Sequence, residues 1–430
     1  MITMVKADGV AERQQLEAMR RRAAETGAEI ARSASEIMEA VRLRGYAAVR
    51  EYSLKFDGAE PREISKEELE AAAGRIDPAL LQAFQRSVQH IRAYQQELLR
   101  QVKSRTWESP IPGGTVGQLV RGLARVGIYV PGGRAAYPSS VLMNAVPAKV
   151  ARCGEIIMVT PPTENLSDAV LAAAWVSGVD RVIAVGGVQA VAALTYGAGF
   201  IPKVDKLVGP GNAYVAAAKR MAYGTLDIDM VAGPSEVLVI ADDSADPVYV
   251  AADLMSQAEH DVMASAVLLT TSETLARQVV GEMERQCAAL ERREVIQQSL
   301  RDYGAIIVCD SLDQCCDLAN DIAPEHLEIM TEDPRALLHK LPNAGALFLG
   351  KNSPEPLGDY MAGPSHVLPT SGTARFFSPL SAESFLKKTS VIEFSREALE
   401  TVAEDIVRMA RSEQLTAHAN SILVRGLGES

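Results

Sequence analysis

RVGIYVPGGR, residues 125–134, runs from β-favouring residues straight into a proline–glycine turn. Valine, isoleucine and tyrosine fit a pleated, buried surface, and Pro-Gly-Gly stops it. The same texture returns as EIIMV (155–159), RVIAV (181–185) and DKLV (205–208). It returns again as EVLVI (236–240), SAVLLT (265–270), AIIVC (305–309) and GALFL (345–349). Helix-like segments lie between these runs. Such alternation means βαβ units and mostly parallel sheets, and the runs suffice for two of them. The fold class is therefore α/β, with ligands expected at the carboxyl ends of the strands.

Glycine-rich turns fall there: PGGR at 131–134, VGG at 185–187, GPGN at 209–212 and AGPS at 232–235. None is GxGxxG, so the usual dinucleotide fingerprint is absent. Upstream, Asp77-Pro78 reads as a helix start. Leu81, Phe84, Val88, Ile91, Tyr94, Leu98 and Val102 then recur at helical spacing, which predicts one apolar stripe. His90 lies beside the stripe and is expected at the surface. After about Ser381 the pattern becomes helical again.

A chain of 430 residues is too long for one core, so two or three domains are expected. The net charge of −12 argues against nucleic acid as a partner. Cys153, Cys287, Cys309, Cys315 and Cys316 form no CxxC pair, so reduced, buried thiols are expected. No stretch reads as a signal peptide or membrane span, which makes a cytoplasmic enzyme the default.

Four of the six histidines sit in short polar stretches. His260 lies in SQAEHD, His326 in APEHLEIM, His366 in GDYMAGPSHVLPT and His418 in EQLTAH. Gln257 and His260, three residues apart, share one helix face. Asp359 and His418 can complete a set of two nitrogens and two oxygens, which suits Zn²⁺ or Mn²⁺ and not copper or iron–sulfur chemistry. Glu325-His326 pairs a base with a carboxylate able to activate water or orient the ring.

RVGIYVPGG, YPSSVLMNAVPAKVA, VGPGNAYV, DIDMVAGPSEVLVIAD, SQAEHD, PEHLEI, GDYMAGPSHVLPTSGTARF and EQLTAH, in that order, closely resemble the histidinol dehydrogenase family. The resemblance implies a zinc-dependent homodimer that oxidises L-histidinol to L-histidine with two NAD⁺, through a bound aldehyde. It implies Gln257, His260, Asp359 and His418 as zinc ligands, one ion per subunit, and Glu325 and His326 as the acid–base pair. Ser235, His326, His366 and Glu413 would meet substrate, together with the four ligands. Tyr129, Gln189 and Asn212 would meet the dinucleotide. Asparagine is common in the family where Ser365 stands.

The implied fold is two incomplete Rossmann-like domains with small helical terminal segments in an intertwined homodimer. Residues 125–235 would bind NAD, and 26–124 with 236–380 would carry zinc and catalysis. Residues 1–25 would form a helical arm. Residues 381–430 would reach the partner, so that His418 and Glu413 serve its site. Two rivals stay open: a dehydrogenase of the same fold acting on another polar alcohol, such as a sulfonated diol, and a non-catalytic zinc-stabilised scaffold.

Overall fold

Strands buried on both faces read as unbroken apolar runs, and the inner strands of the two large sheets are of that kind. The computed structural model describes residues 2–24, 27–132, 137–162 and 166–427, with the side chains of residues 20–28 outside the description. Gly133 and Arg134 of the PGGR turn lie outside the described residues. The chain divides into two compact units, Met1–Leu98 with Leu123–Phe385, and Leu99–Gly122 with Leu386–Ser430.

The first unit holds two six-stranded sheets. One runs β2 (Arg62–Ile64), β7 (Arg181–Ala184), β6 (Glu155–Thr160), β5 (Arg125–Tyr129), β8 (Lys206–Val208), β9 (Asp227–Ile228). Every pairing is parallel except β2 on β7. The other runs β1 (Thr3–Lys6), β12 (Gly304–Val308), β11 (Ser265–Thr270), β10 (Glu236–Ala241), β13 (His326–Met330), β14 (Ala346–Leu349), all parallel. Val237, Val239 and Ala241 face one apolar cluster of this sheet, while Leu238 and Ile240 face another. Period-two alternation thus feeds a core on each side.

Two groupings differ from expectation. The helices Gly27–Arg44 and Tyr46–Asp57 pack on the sheet of β5–β9, not on that of β10–β14, and β2 extends its edge. Ala34, Ile37, Met38, Val41, Ala48 and Val49 supply their apolar face, so burial decides the partner. The N-terminal segment is not only helical, because β1 adds an edge strand to the second sheet.

In the long helix Pro78–Val102 the buried positions are Phe84, Ser87, Val88, Ile91 and Gln95. Tyr94 and Val102 of the expected stripe are exposed. Ser87 and Gln95 turn inward because they bond to loops: Ser87 Oγ donates to Tyr360 O (2.7 Å), and Gln95 Oε1 accepts from the Ala382 N–H (2.8 Å). His90 is exposed, as expected, and its Nδ1 also bonds to Met361 O (2.8 Å).

The second unit contains an antiparallel sheet of β3 (Trp107–Ile111), β4 (Gly114–Gly122) and β15 (Leu386–Phe394). The tail is therefore not wholly helical after Ser381. Most of β15 is exposed, so no apolar alternation announces it. Its helices are Arg396–Ser412 and Thr416–Leu423. All five cysteines are free and buried. No helix among the described residues is long and apolar enough to cross a membrane.

One ion pair in the first sheet is fully desolvated. Lys219 Nζ meets Asp229 Oδ1 at 2.5 Å, with side-chain exposures of 3% and 1%. Removing one partner of such a pair strands the other's charge. Lys219→Met should therefore destabilise the protein by about 3–5 kcal/mol. Denaturant unfolding checks this, and an unchanged midpoint would show that the pair contributes nothing.

Candidate active site

His326 opens β13, and Glu325 immediately precedes it. Both hold the backbone of Glu236, the first residue of the adjacent β10. Glu325 Oε2 accepts from the Glu236 N–H (2.8 Å), and His326 Nδ1 bonds to Glu236 O (3.0 Å). A carbonyl only accepts, so Nδ1 carries the proton and the neutral ring presents a bare Nε2. That nitrogen lies 3.6 Å from Glu355 Oε1. Burial pushes the His326 pKa down to about 4, against the opposing pull of Asp359. Burial likewise pushes Glu325 well above the ordinary carboxylate range, the Glu236 bond opposing it.

The short helix Glu355–Tyr360 supplies Glu355 and, one turn later, Asp359. Among the described residues, ligand-capable atoms of His326, Glu355 and Asp359 lie within 4.8 Å of one another. His366 Nδ1 is 3.3 Å from Asp359 Oδ1. Burial works to raise Asp359, but the His366 bond and the charges of His366, His326 and His260 outweigh it and hold Asp359 well below its usual value. Burial and then Asp359 push Glu355 up to about 10. His260 is lowered by burial and feels the Asp359 charge.

The helix Pro247–Ala258 brings Gln257 to its last turn, and His260 follows in the turn beyond. The Gln257 carbonyl accepts from the His260 N–H (3.1 Å), so the expected shared helix face is a helix end with its turn. Gln257 is 1% exposed, and its Oε1 has no hydrogen-bond partner; Glu355 Oε1 is in the same position. Buried acceptors without donors cost free energy. The Gln257 oxygen, beside imidazoles and a low-pKa carboxylate, suits a divalent cation.

A second layer ties the three elements together. Glu328 Oε1 accepts from the Glu355 N–H (2.7 Å), and the charge of Asp253, on the helix Pro247–Ala258, acts on Glu328. Burial raises Asp253 to about 6, and burial first, then the Asp253 charge, pushes Glu328 well above the ordinary carboxylate range. Ser235 precedes β10. Ser365 donates from Oγ to Met143 O (3.3 Å) and accepts from the Val367 N–H (3.2 Å), which anchors the loop before His366.

All of this lies at the amino ends of β10 and β13. This centre thus departs from the expected carboxyl ends, whereas in the other sheet the residues expected to meet a dinucleotide do lie at the carboxyl ends. Tyr129 ends β5, while Gln189 and Asn212 follow β7 and β8. Tyr129 OH accepts from the Gly187 N–H (3.0 Å), and Gln189 Nε2 donates to Asp57 Oδ2 (3.1 Å). Asn212 Oδ1 caps the helix Ala213–Ala222 by accepting from the N–H groups of Tyr214 and Val215. Gly209 has φ 105°, and a Cβ there would meet Tyr129 O at 2.2 Å. Its N–H bonds to Asp229 and its carbonyl to Lys219, so the buried ion pair clamps the GPGN turn.

Glu413 and His418 belong to the second unit, where both are exposed. Glu355, Asp253, Glu328 and Asp57 are the members that sequence reading passes over. Glu355 alone left a signal, the four-residue spacing to Asp359.

Fold and site together define an α/β enzyme whose desolvated base opens onto carboxylates. The family follows from comparison. A family model described as histidinol dehydrogenase matches residues 20–426. The chain is 54% identical to the histidinol dehydrogenase of Heliobacterium mobile, over 91% of this chain and 92% of that one. It is 49% identical to that of Clostridium acetobutylicum, over 95% of each. The crystal structure of the Elizabethkingia anophelis enzyme superposes with a TM-score of 0.90 at 35% identity, covering 99% of this chain and 98% of that one. The chain belongs to the histidinol dehydrogenase family, whose members are NAD-dependent oxidoreductases of histidine biosynthesis.

The low His326 pKa has a consequence for stability. As pH falls below the ordinary histidine value of about 6.5, the unfolded chain takes the proton first, and the folded chain only near 4. In metal-free protein the His326 contribution is intact above about pH 6.5 and is lost towards pH 4, by ~3 kcal/mol at most. His326→Gln should lack this part of the decline. Parallel stability–pH curves for the two proteins would refute the assignment.

Proposed function

We propose that this protein is a cytoplasmic zinc enzyme that oxidises L-histidinol to L-histidine in two hydride transfers to NAD⁺, through L-histidinal. The observation that carries the reading is the convergence of His326, Glu355 and Asp359 beside His260, with the unpartnered Gln257 oxygen in the same buried region. Gln257, His260 and Asp359 would hold the ion together with His418. Bound zinc would supply positive charge and open positions for the amine and imidazole of the substrate. Tyr129, Gln189 and Asn212 would hold the dinucleotide, which accepts the hydrides.

The residues of the chain divide the proton work. His326 Nε2, bare because Nδ1 is pinned, takes the hydroxyl proton as the carbinol carbon is oxidised. The aldehyde must then add water before a second hydride can leave. Glu325, its basicity raised by burial, takes a proton from that water, and His326 serves as base again. Ser235 and His366, with Glu413, orient the substrate. Keeping the aldehyde in this enclosed site prevents its escape between steps.

Zn²⁺ fits the donor set: two imidazoles, a carboxylate and a neutral amide, with no thiolate. His418 and Glu413 are exposed on the single chain and so available to a second copy. That availability supports a homodimer in which each tail completes the partner's site.

Three variants test the reading. Gln257→Ala should lose bound zinc and, with it, histidinol-dependent NAD⁺ reduction. His326→Asn should keep zinc while the first oxidation falls by at least a hundredfold, the scale of a general base. Equal metal loss in both would make His326 a ligand. Turnover of another alcohol and none of histidinol would replace the substrate. For the dimer, inactive His418→Ala and His326→Asn chains should regain part of the activity when mixed, read as turnover of purified heterodimers. Inert heterodimers would mean that one chain builds each site.

A further inference from the structure

Asp57 is the last residue of the helix Tyr46–Asp57, followed by Gly58 at φ 69°. A carboxylate there meets the negative end of the helix dipole. It is also partly buried, which raises its pKa. Such a group is normally offset by a cation. Among the described residues, its hydrogen bond is to the neutral amide of Gln189.

The surroundings point to an absent donor. Gln189 is 1% exposed and its Oε1 has no partner. Gly187 sits at φ 62°, where a Cβ would come within 2.7 Å of that oxygen, so only glycine leaves it room. Tyr129 accepts the Gly187 N–H, which leaves its hydroxyl proton to give. A ligand beside Asp57 must bring hydrogen-bond donors and no negative charge. A phosphate is repelled there. A ribose diol matches, one hydroxyl to each carboxylate oxygen.

Topology selects the ribose. Ser365, beside the candidate centre, is tied to the helix Pro138–Val150 that follows β5. Asp57 is tied to the helix that follows β7, two strands further towards the edge in the order β2-β7-β6-β5. That is about 10 Å of lateral distance. The hydride-accepting end of a dinucleotide must face the substrate, so its adenosine end lies outward.

We propose that Asp57 sets cofactor specificity, accepting hydrogen bonds from the adenosine ribose of NAD⁺ and repelling the 2′-phosphate of NADP⁺. This rests on the reading that Tyr129, Gln189 and Asn212 line the dinucleotide site.

The test measures kcat/KM for NAD⁺ and NADP⁺ at saturating histidinol in Asp57→Asn and Asp57→Ser. Zinc content and the KM for histidinol report on intact folding. The KM for NAD⁺ should rise and the NAD⁺/NADP⁺ preference should fall about tenfold or more, the scale of a hydrogen bond to a charged group. A raised KM with an unchanged preference would reduce Asp57 to a support for Gln189 and overturn the proposal. Tyr129→Phe and Asn212→Ala separate the two failures. If they raise the KM for NAD⁺ and the Asp57 variants do nothing, only the Asp57 role falls. If none of the four changes it, the dinucleotide site lies elsewhere.

Discussion

Five carboxyl groups crowd the amino ends of β10 and β13: Glu325, Glu328, Glu355, Asp359 and Asp253. Burial disfavours the charged form of each, so the site must compensate the charge with protons, imidazoles or a cation. The structure shows how the burden divides. Asp359 stays ionised against its histidines. Burial raises Asp253 to about 6 and drives Glu328 well above the ordinary carboxylate range. Glu355 is driven upward by burial and by Asp359. In the proposed function a divalent ion would relieve what protons otherwise must, and the unpartnered oxygen of Gln257 suits it. Metal binding and the proton state of this cluster are therefore one equilibrium.

The same constraint suits His326, held through Nδ1 alone, to the role of base in the proposed reaction. A buried imidazole at a low pKa is neutral, and a neutral ring has one donor and one acceptor. The Glu236 carbonyl takes the donor. The acceptor is then fixed without any charge being buried. Glu325 grips the N–H of the same residue, so the pair moves as a unit with the start of β10. The hydrogen bond from the Glu355 N–H to Glu328 does the same for the short helix that carries Asp359.

Much of the fold was legible because buried parallel strands leave apolar runs. RVGIYV, EVLVI and their relatives mark the inner strands of both sheets except β13, and GALFL marks the edge strand β14. The other edges β1, β2 and β15 were not legible, being short or exposed with little apolar pattern. His260, His326, Asp359 and His366 announced themselves through polar stretches that few core segments contain. Glu328 did not, because a glutamate within the apolar run HLEIM looks like a solvent-facing strand residue, whereas both faces of that strand are covered. Asp57 looked like an ordinary acidic helix end. Its meaning depends on Gln189, 132 positions away, and no local spacing encodes that contact.

In the proposed function the two sheets would present opposite ends to their chemistry, and this follows from what each ligand needs. The GPGN turn and the loop after β7 offer backbone at strand carboxyl ends, where a ligand can lie in an open crevice. Their rigidity comes from beneath, through Lys219 and Asp229 clamping Gly209. The centre on the second sheet uses side chains set among buried carboxyls, where a held intermediate is shielded. In the proposed reaction one dinucleotide must leave and another enter while the aldehyde stays. A shallow crevice without the tight glycine fingerprint permits that exchange. A desolvated, multiply bonded pocket retains the aldehyde. The asymmetry between the two sites is what a four-electron oxidation with a replaceable oxidant requires.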